Sequence, residues 1–307
     1  MANGVLQLKR LHRLASLRNI LWAWFICSYA RNCFYFCIYV LLLVNLFKKD
    51  GLVTRSDLFI TSKLWNTYHA PEHVPLALER TLTDLSLDYL DEYLIHFPIS
   101  MEYVPFDAKY PPEWTNMEGK MVLVDQDMGA TWKAMEALVA TGKTKTIGVC
   151  NFCTQLIRQL LSTATVRPAT LQIEVHPHNS QAKLIRFARE CGMSVTAFSI
   201  FGASSYLELD MATEDEVLMK DGTIIDIGTK YGKTPAQVLI RWAMQRHTLP
   251  LCKSSSTERM RENRNVVDFE LAEDDIAKID ALNKNRRYND PGVFCEPGMG
   301  TFCPIYE

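Results

Sequence analysis

From residue 51 onward the sequence predicts an α/β domain laid out as a (β/α)8 TIM barrel, incomplete because its first two strand–helix units are not recognisable. Three observations lead there. Short runs, apolar on both faces as helix-covered parallel strands are, alternate with longer amphipathic stretches. No GxGxxG follows any of these runs, so a doubly wound dinucleotide-binding sheet has no anchor. The runs also end in polar or ionisable residues, at the strand ends where a barrel gathers its chemistry.

The elements follow in order. LFITS (58–62) is the first predicted strand. Val74, Leu78, Leu82 and Leu85 then form one apolar stripe at helical spacing. EYLIH (92–96) is the second strand, followed by a helix over 130–141 that stops at Gly142. TIGVC (146–150) and TLQIEV (170–175) are the next strands, and a helix over 181–191 stops at Gly192. After VTAFS (195–199), Thr234 and Pro235 read as the N-cap and first position of a helix with Arg246 and His247 in its last turn. LPLCK (249–253) closes the series.

Composition bounds the function. With 48% hydrophobic and 22% charged residues the chain is globular, and a net charge of −2 gives no basic excess for nucleic acid. Nine cysteines are too few for a disulfide scaffold, and the CxxC of Cys150 and Cys153 has no second pair to complete a zinc site. A reducing, cytoplasmic compartment suits the domain over 51–307. Residues 1–50 differ: a hydrophobic run, 20–47, is flanked by Lys and Arg and carries only Arg31 as a charge. That run is long enough for a membrane anchor, which would place the domain at a membrane. The alternatives are a buried segment of the domain or a mispredicted first exon.

The strand ends carry Lys63, His96, Asn151, Gln172 with Glu174, Ser199 and Lys253. With FITSKLW, YLIHFP, MEALVATGKTKTIGVCNF, LQIEVHPH and LCKSSSTERMREN in this order, the sequence resembles the aldo-keto reductase superfamily from about Val53 to the C-terminus. EYVPFDAKYPPEW and RRYNDP are most similar to its xylose-reductase branch. The resemblance implies a barrel of aldo-keto reductase type that reduces aldehydes or aldoses to alcohols with NADPH. It implies Lys63 and His96 as catalytic residues, with Trp65 and Phe97 beside His96 as walls for a small carbonyl substrate. Asn151 and Gln172 are expected to hold the nicotinamide carboxamide, Phe198 to stack on the ring, and Ser199 and Gly202 to line the pyrophosphate path. Lys253, Ser254 and Arg259 match contacts to a 2′-phosphate, while Glu262 and Asn263 match adenine contacts. The tail from Tyr288 to Glu307 is expected to supply the specificity loop.

In the family, a D-T-A-x-x-Y-x-N-E pattern before the lysine strand supplies a catalytic tyrosine and an aspartate that pairs with the lysine. Tyr29, Tyr35 and Tyr39 lack that context, and no acidic residue precedes Asp50. The alternative reading is therefore a relative that binds NADP(H) but is catalytically impaired. Oligomeric state is not legible.

Overall fold

The computed structural model describes residues 54–116, 118–254, 256–300 and 305–306. The hydrophobic run and its membrane reading lie outside the described residues. Six strands form one sheet: Thr61–Leu64 (β1), Leu90–Ile95 (β2), Thr144–Cys150 (β3), Thr170–Glu174 (β4), Ser194–Phe198 (β5) and Leu249–Pro250 (β6). They are hydrogen-bonded in sequence order and every pair is parallel. Parallel neighbours need long crossovers, and helices supply them: His73–Leu85 (α1), Met128–Ala140 (α2), Thr154–Thr163 (α3), Ala182–Glu190 (α4), then Gly222–Tyr231 (α5) and Pro235–Gln245 (α6). Thr257–Arg264 (α7), Glu273–Asp280 (α8) and the short Pro291–Phe294 (α9) and Glu296–Met299 (α10) follow β6. Among the described residues β1 and β6 each have one neighbouring strand. This is the α/β strand–helix repeat that the sequence predicts.

Strand residues alternate between two faces, and the register assigns them. Leu64, Tyr93, Ile95, Val149, Ile173 and Val195 join one core with Leu78 and Leu82 of α1, Trp132 and Met135 of α2 and Trp242 of α6. Each such side chain contributes roughly 1.5–3 kcal/mol when fully buried. The register places Thr61 and Lys63, Glu92 and Leu94, Gly148 and Cys150, Gln172 and Glu174, and Thr196 and Phe198 on the opposite, inner face. At Gly148 that face comes closest to its neighbour: a Cβ would lie 2.5 Å from the Thr170 carbonyl oxygen and 2.7 Å from Leu94 Cδ2.

Local signals explain most element ends. The Thr234 side chain accepts from the Gln237 N–H in a capping box, with Pro235 in the first turn of α6. Gly142 and Gly192, at φ 74° and 85°, follow α2 and α4 as left-handed stops. Three ends differ from expectation. β1 starts at Thr61 rather than Leu58, because the Ile60 N–H donates to Asp91 Oδ2 at 2.9 Å and Arg55 Nη1 holds the Leu58 carbonyl at 2.9 Å. Side chains thus take ladder positions ahead of the strand. α6 ends at Gln245, with His247 at φ 60°; Arg246 turns out to Asp280 at 2.6 and 2.7 Å so that the chain can re-enter the sheet. β6 is short because Pro250 has no N–H to donate, although Leu251 N still reaches the Ala197 carbonyl at 2.8 Å. No helix among the described residues is long and apolar enough to cross a membrane.

Candidate active site

The C-terminal ends of β1 to β5 bring most of the predicted residues together. Lys63 stands opposite Leu94 near the end of β1, half-buried on the inner face. His96 follows β2, its N–H bonded to the Leu64 carbonyl at 3.1 Å. Asn151 follows β3 in a left-handed conformation, φ 64°. That turn lets its N–H reach the Gln172 carbonyl at 2.9 Å and its Nδ2 donate to the His96 carbonyl, also at 2.9 Å. One residue, through its backbone N–H and its side chain, therefore ties the ends of β2, β3 and β4.

The electrostatics around His96 are one-sided. Burial, then the charges of Lys63 and His69, hold its imidazole well below the usual histidine range. His96 is thus a neutral hydrogen-bonding ring near neutral pH, with one donor and one acceptor nitrogen. Behind it His69 is driven down to about 3 by burial alone, with Nδ1 at 2.9 Å from Ser100 Oγ.

Two amides beside this histidine have idle atoms. Asn151 and Gln172 are each 1% exposed, and Asn151 Oδ1 and Gln172 Nε2 have no hydrogen-bond partner among the described residues. A buried acceptor and a buried donor left open cost about 1–3 kcal/mol each. Together they complement a primary carboxamide, which offers one NH2 and one carbonyl. The Cys150 thiol lies between them, accepting from Asn151 Nδ2 at 3.2 Å, and burial pushes it up to about 12, so it is inert near neutral pH. Phe198 ends β5 and packs on Cys150 and Leu251. Ser199, at φ 55°, shares a 2.7 Å hydrogen bond with the Tyr206 hydroxyl. At Gly202, φ 61°, a Cβ would meet Leu218 Cδ1 at 2.7 Å.

An aromatic wall rises over His96. Trp65 lies edge-on to His96 at 5.1 Å between centroids and to Trp114 at 4.9 Å; Trp114 meets Phe97 at 5.1 Å and Phe294 at 5.4 Å. Trp65 and Phe97, expected as apolar walls, both belong to this cluster. Trp114 has no assigned place in the sequence reading, because it sits in a long aperiodic loop between β2 and α2. The loop is joined to the C-terminal tail by Met121 N donating to the Gly298 carbonyl at 2.9 Å. The tail is anchored in turn by Glu174, fully buried, which accepts from His176 Nε2 at 2.8 Å and from the N–H groups of Tyr288 and Asn289 at 2.8 and 2.9 Å. Burial alone would raise this carboxyl, but the His176, Tyr288 and Arg287 interactions hold it below the usual carboxylate range. The sequence marks Glu174 only as a polar strand end.

The remaining candidates lie beyond β6. Lys253 and Arg259 are exposed, and neither has an ion pair among the described residues. Ser254 Oγ accepts from the Ser256 N–H at 3.2 Å, and Ser256 caps α7 by accepting from Arg259 N at 3.3 Å. Glu262 accepts from Thr234 Oγ1 at 2.5 Å, and Asn263 is half-buried on α7. The loop and the first turn of α7 thus present Lys253 and Arg259 without an ion pair among the described residues. No group of three or more metal-ligating side chains occurs among the described residues.

Known proteins resemble the chain as a whole. A profile of the aldo/keto reductase family matches residues 35–284, a span that begins inside the hydrophobic run. The chain is 47% identical over 251 residues to an NAD(P)H-dependent D-xylose reductase I,II of Candida tropicalis, covering 81% of this chain and 78% of that protein. It is 43% identical over 249 residues to an NADH-dependent D-xylose reductase of Candida parapsilosis, covering 80% and 77%. Among solved structures, the aldose reductase of Schistosoma japonicum superposes with a TM-score of 0.76 at 33% identity, covering 90% of this chain and 83% of that one.

Proposed function

The chain belongs to the aldo/keto reductase family, and from that premise we propose that it reduces aldehydes and aldoses to alcohols with NADPH as the electron donor. The observation that carries the reading is the open acceptor–donor pair, Asn151 Oδ1 and Gln172 Nε2, buried beside His96 at one rim. A nicotinamide carboxamide satisfies both atoms and is thereby fixed in orientation, with Phe198 against the ring and Ser199 and Gly202 along the pyrophosphate. Lys253, Ser254 and Arg259 hold a 2′-phosphate, for which a guanidinium is suited by its fork of donors, and Glu262 and Asn263 hold the adenine. When bound, the cofactor supplies the hydride that reaches the carbonyl carbon.

The protein side acts on the carbonyl oxygen. His96, neutral, donates a hydrogen bond that orients it, and the Lys63 ammonium stabilises the negative charge that develops there. Trp65 and Phe97 exclude water around it. The unpartnered Trp65 Nε1 gives that wall a donor for a sugar hydroxyl, which favours aldoses among the carbonyl substrates, in keeping with the D-xylose reductases at 46–47% identity. The family's acid is a tyrosine in a DxAxxY context, which no tyrosine of this sequence has, so the alkoxide left by hydride transfer takes its proton from a water molecule. The domain over 51–307 is proposed to work in the cytoplasm, where its free Cys150, Cys153, Cys191, Cys252 and Cys295 stay reduced.

The test is carbonyl-dependent NADPH oxidation by the purified full chain, with D-xylose and short aldehydes as substrates. The wild type is expected to exceed a Lys63→Met variant by roughly 10² or more in kcat/KM, the scale of one lost electrostatic stabiliser. Equal rates in the two proteins overturn the reading.

A further inference from the structure

One buried ionisable group on the inner face has no part in this scheme. Glu92 lies in β2, in a run otherwise suited to a helix-covered strand, and is 2% exposed. Its carboxyl accepts from Thr61 Oγ1 at 3.2 Å and also interacts with the Thr170 hydroxyl across the sheet. A carboxyl in such a place costs several kcal/mol unless it is hydrogen-bonded, neutralised or paired. The register says what it can pair with. Thr61 is level with Glu92 and Lys63 is level with Leu94, so Lys63 sits on the adjacent strand one two-residue step nearer the rim. Such a step is roughly 6.6 Å along the strand and about 4.8 Å across, within the reach of a lysine and a glutamate side chain. The charge of Lys63 also acts on Glu92, on His96 and on Cys150 alike.

We propose that Glu92 is a positioning residue for Lys63, the internal counter-charge that faces the ammonium from below, on the side away from the substrate. The proposal rests on the reading of Lys63 as a functional residue. Glu92 lies deeper in the sheet than Lys63 and does not touch the substrate; it acts only through the lysine. Burial pushes its carboxyl up, while Thr170, Thr61 and Lys63 oppose that shift and Asp91 adds to it. The protonated form is held by the two threonine hydroxyls without contact to Lys63. Once ionised, it favours the charged lysine. The groups around it are Thr61 and Lys63 from β1, Cys150 from β3 and Thr170 from β4, with Asp91 next to it in its own strand.

The experiment reads the lysine directly. The folded full chain is labelled with trace acetic anhydride across a pH series, and acetylation of the Lys63 peptide is quantified by mass spectrometry. In Glu92→Gln the midpoint of Lys63 reactivity is expected to fall by about one pH unit or more, the effect of removing a nearby opposite charge. Thr61→Val, which withdraws a hydrogen bond from the ionised carboxyl, moves it the same way by less. If wild-type kcat shows an inflection from the pair, Glu92→Gln removes it. An unchanged midpoint in folded Glu92→Gln overturns the proposal, whatever happens to its melting temperature. If that variant does not fold, Thr61→Val decides by the same criterion. Should the wild type fail to oxidise NADPH, the proposed reductase activity falls while the labelling still decides the role of Glu92.

Discussion

The two faces of the sheet obey different rules. The helix-covered face is filled by Leu64, Tyr93, Ile95, Val149, Ile173 and Val195 against Trp132, Met135 and Trp242, with the indole nitrogens of Trp132 and Trp242 satisfied by Val166 O and Asp280 Oδ1 at 3.1 and 2.8 Å. The inner face and its rim carry Lys63, Glu92, His96, Asn151 and Gln172, and open atoms remain on two of them. On the first face both indole N–H groups are satisfied and the Tyr93 hydroxyl is the exception, buried without a hydrogen-bond partner among the described residues. The other keeps polar atoms idle, and idle buried atoms are stored binding capacity. Substitutions on the first face are therefore expected to register as stability, and those on the second as affinity and rate.

The largest expected effect breaks the first face. Trp132→Ala removes a fully buried indole and its hydrogen bond to Val166, and is expected to cost about 3–5 kcal/mol by urea unfolding. A loss below about 1 kcal/mol would show that α2 is not part of the core. The next effect comes through acid. The folded-state pKa of His69 is depressed to about 3, so between the ordinary value and 3 the unfolded chain binds a proton that the folded chain does not. Stability is full above about 6.5 and declines as pH falls; by pH 5 the decline from this one residue is roughly 2 kcal/mol. A His69→Asn variant, isolating the residue, should flatten the dependence between pH 7 and 5, and an unchanged slope would place the acid sensitivity elsewhere.

The helix-covered face was the legible one. Periodicity alone identified the Val74, Leu78, Leu82 and Leu85 stripe, and Thr234, Pro235, Gly142 and Gly192 announced element ends by their own chemistry. Strand existence was legible for the same reason, but strand ends were not. The start of β1 is set by Asp91, more than thirty residues away in sequence, and no local pattern carries that. At the site, the sequence could place Lys63, His96, Asn151, Gln172 and Phe198 at strand ends but could not bring Trp114 and Phe294 together, because both belong to aperiodic segments that meet only over the rim. Glu92 had a signal, an acid beside Asp91 in a run otherwise apolar, whose meaning depends on lying one two-residue step from Lys63 across the β1–β2 register.

The smallest effect is the most discriminating, because it must appear on one side of the comparison and be absent on the other. Gln172→Leu deletes the unpartnered Nε2 and leaves an apolar side chain of similar size on the inner face. The Nε2 it removes has no partner among the described residues, and the Cys150 thiol, 3.8 Å from Oε1, is a weak donor. Stability should therefore hold within about 0.5 kcal/mol or rise slightly, since a buried open donor is gone. NADPH affinity, by contrast, should fall by about 1 kcal/mol, roughly five- to tenfold in Kd by fluorescence titration, as one hydrogen bond is lost. If instead the variant is clearly destabilised while affinity is kept, Gln172 is a structural strand residue and the division between the two faces does not hold at β4. A loss of affinity without loss of stability makes the idle amide the cofactor's contact, and it sets Asn151 as the next position to change, where the same loss is expected together with disorder of the His96 loop that its Nδ2 secures.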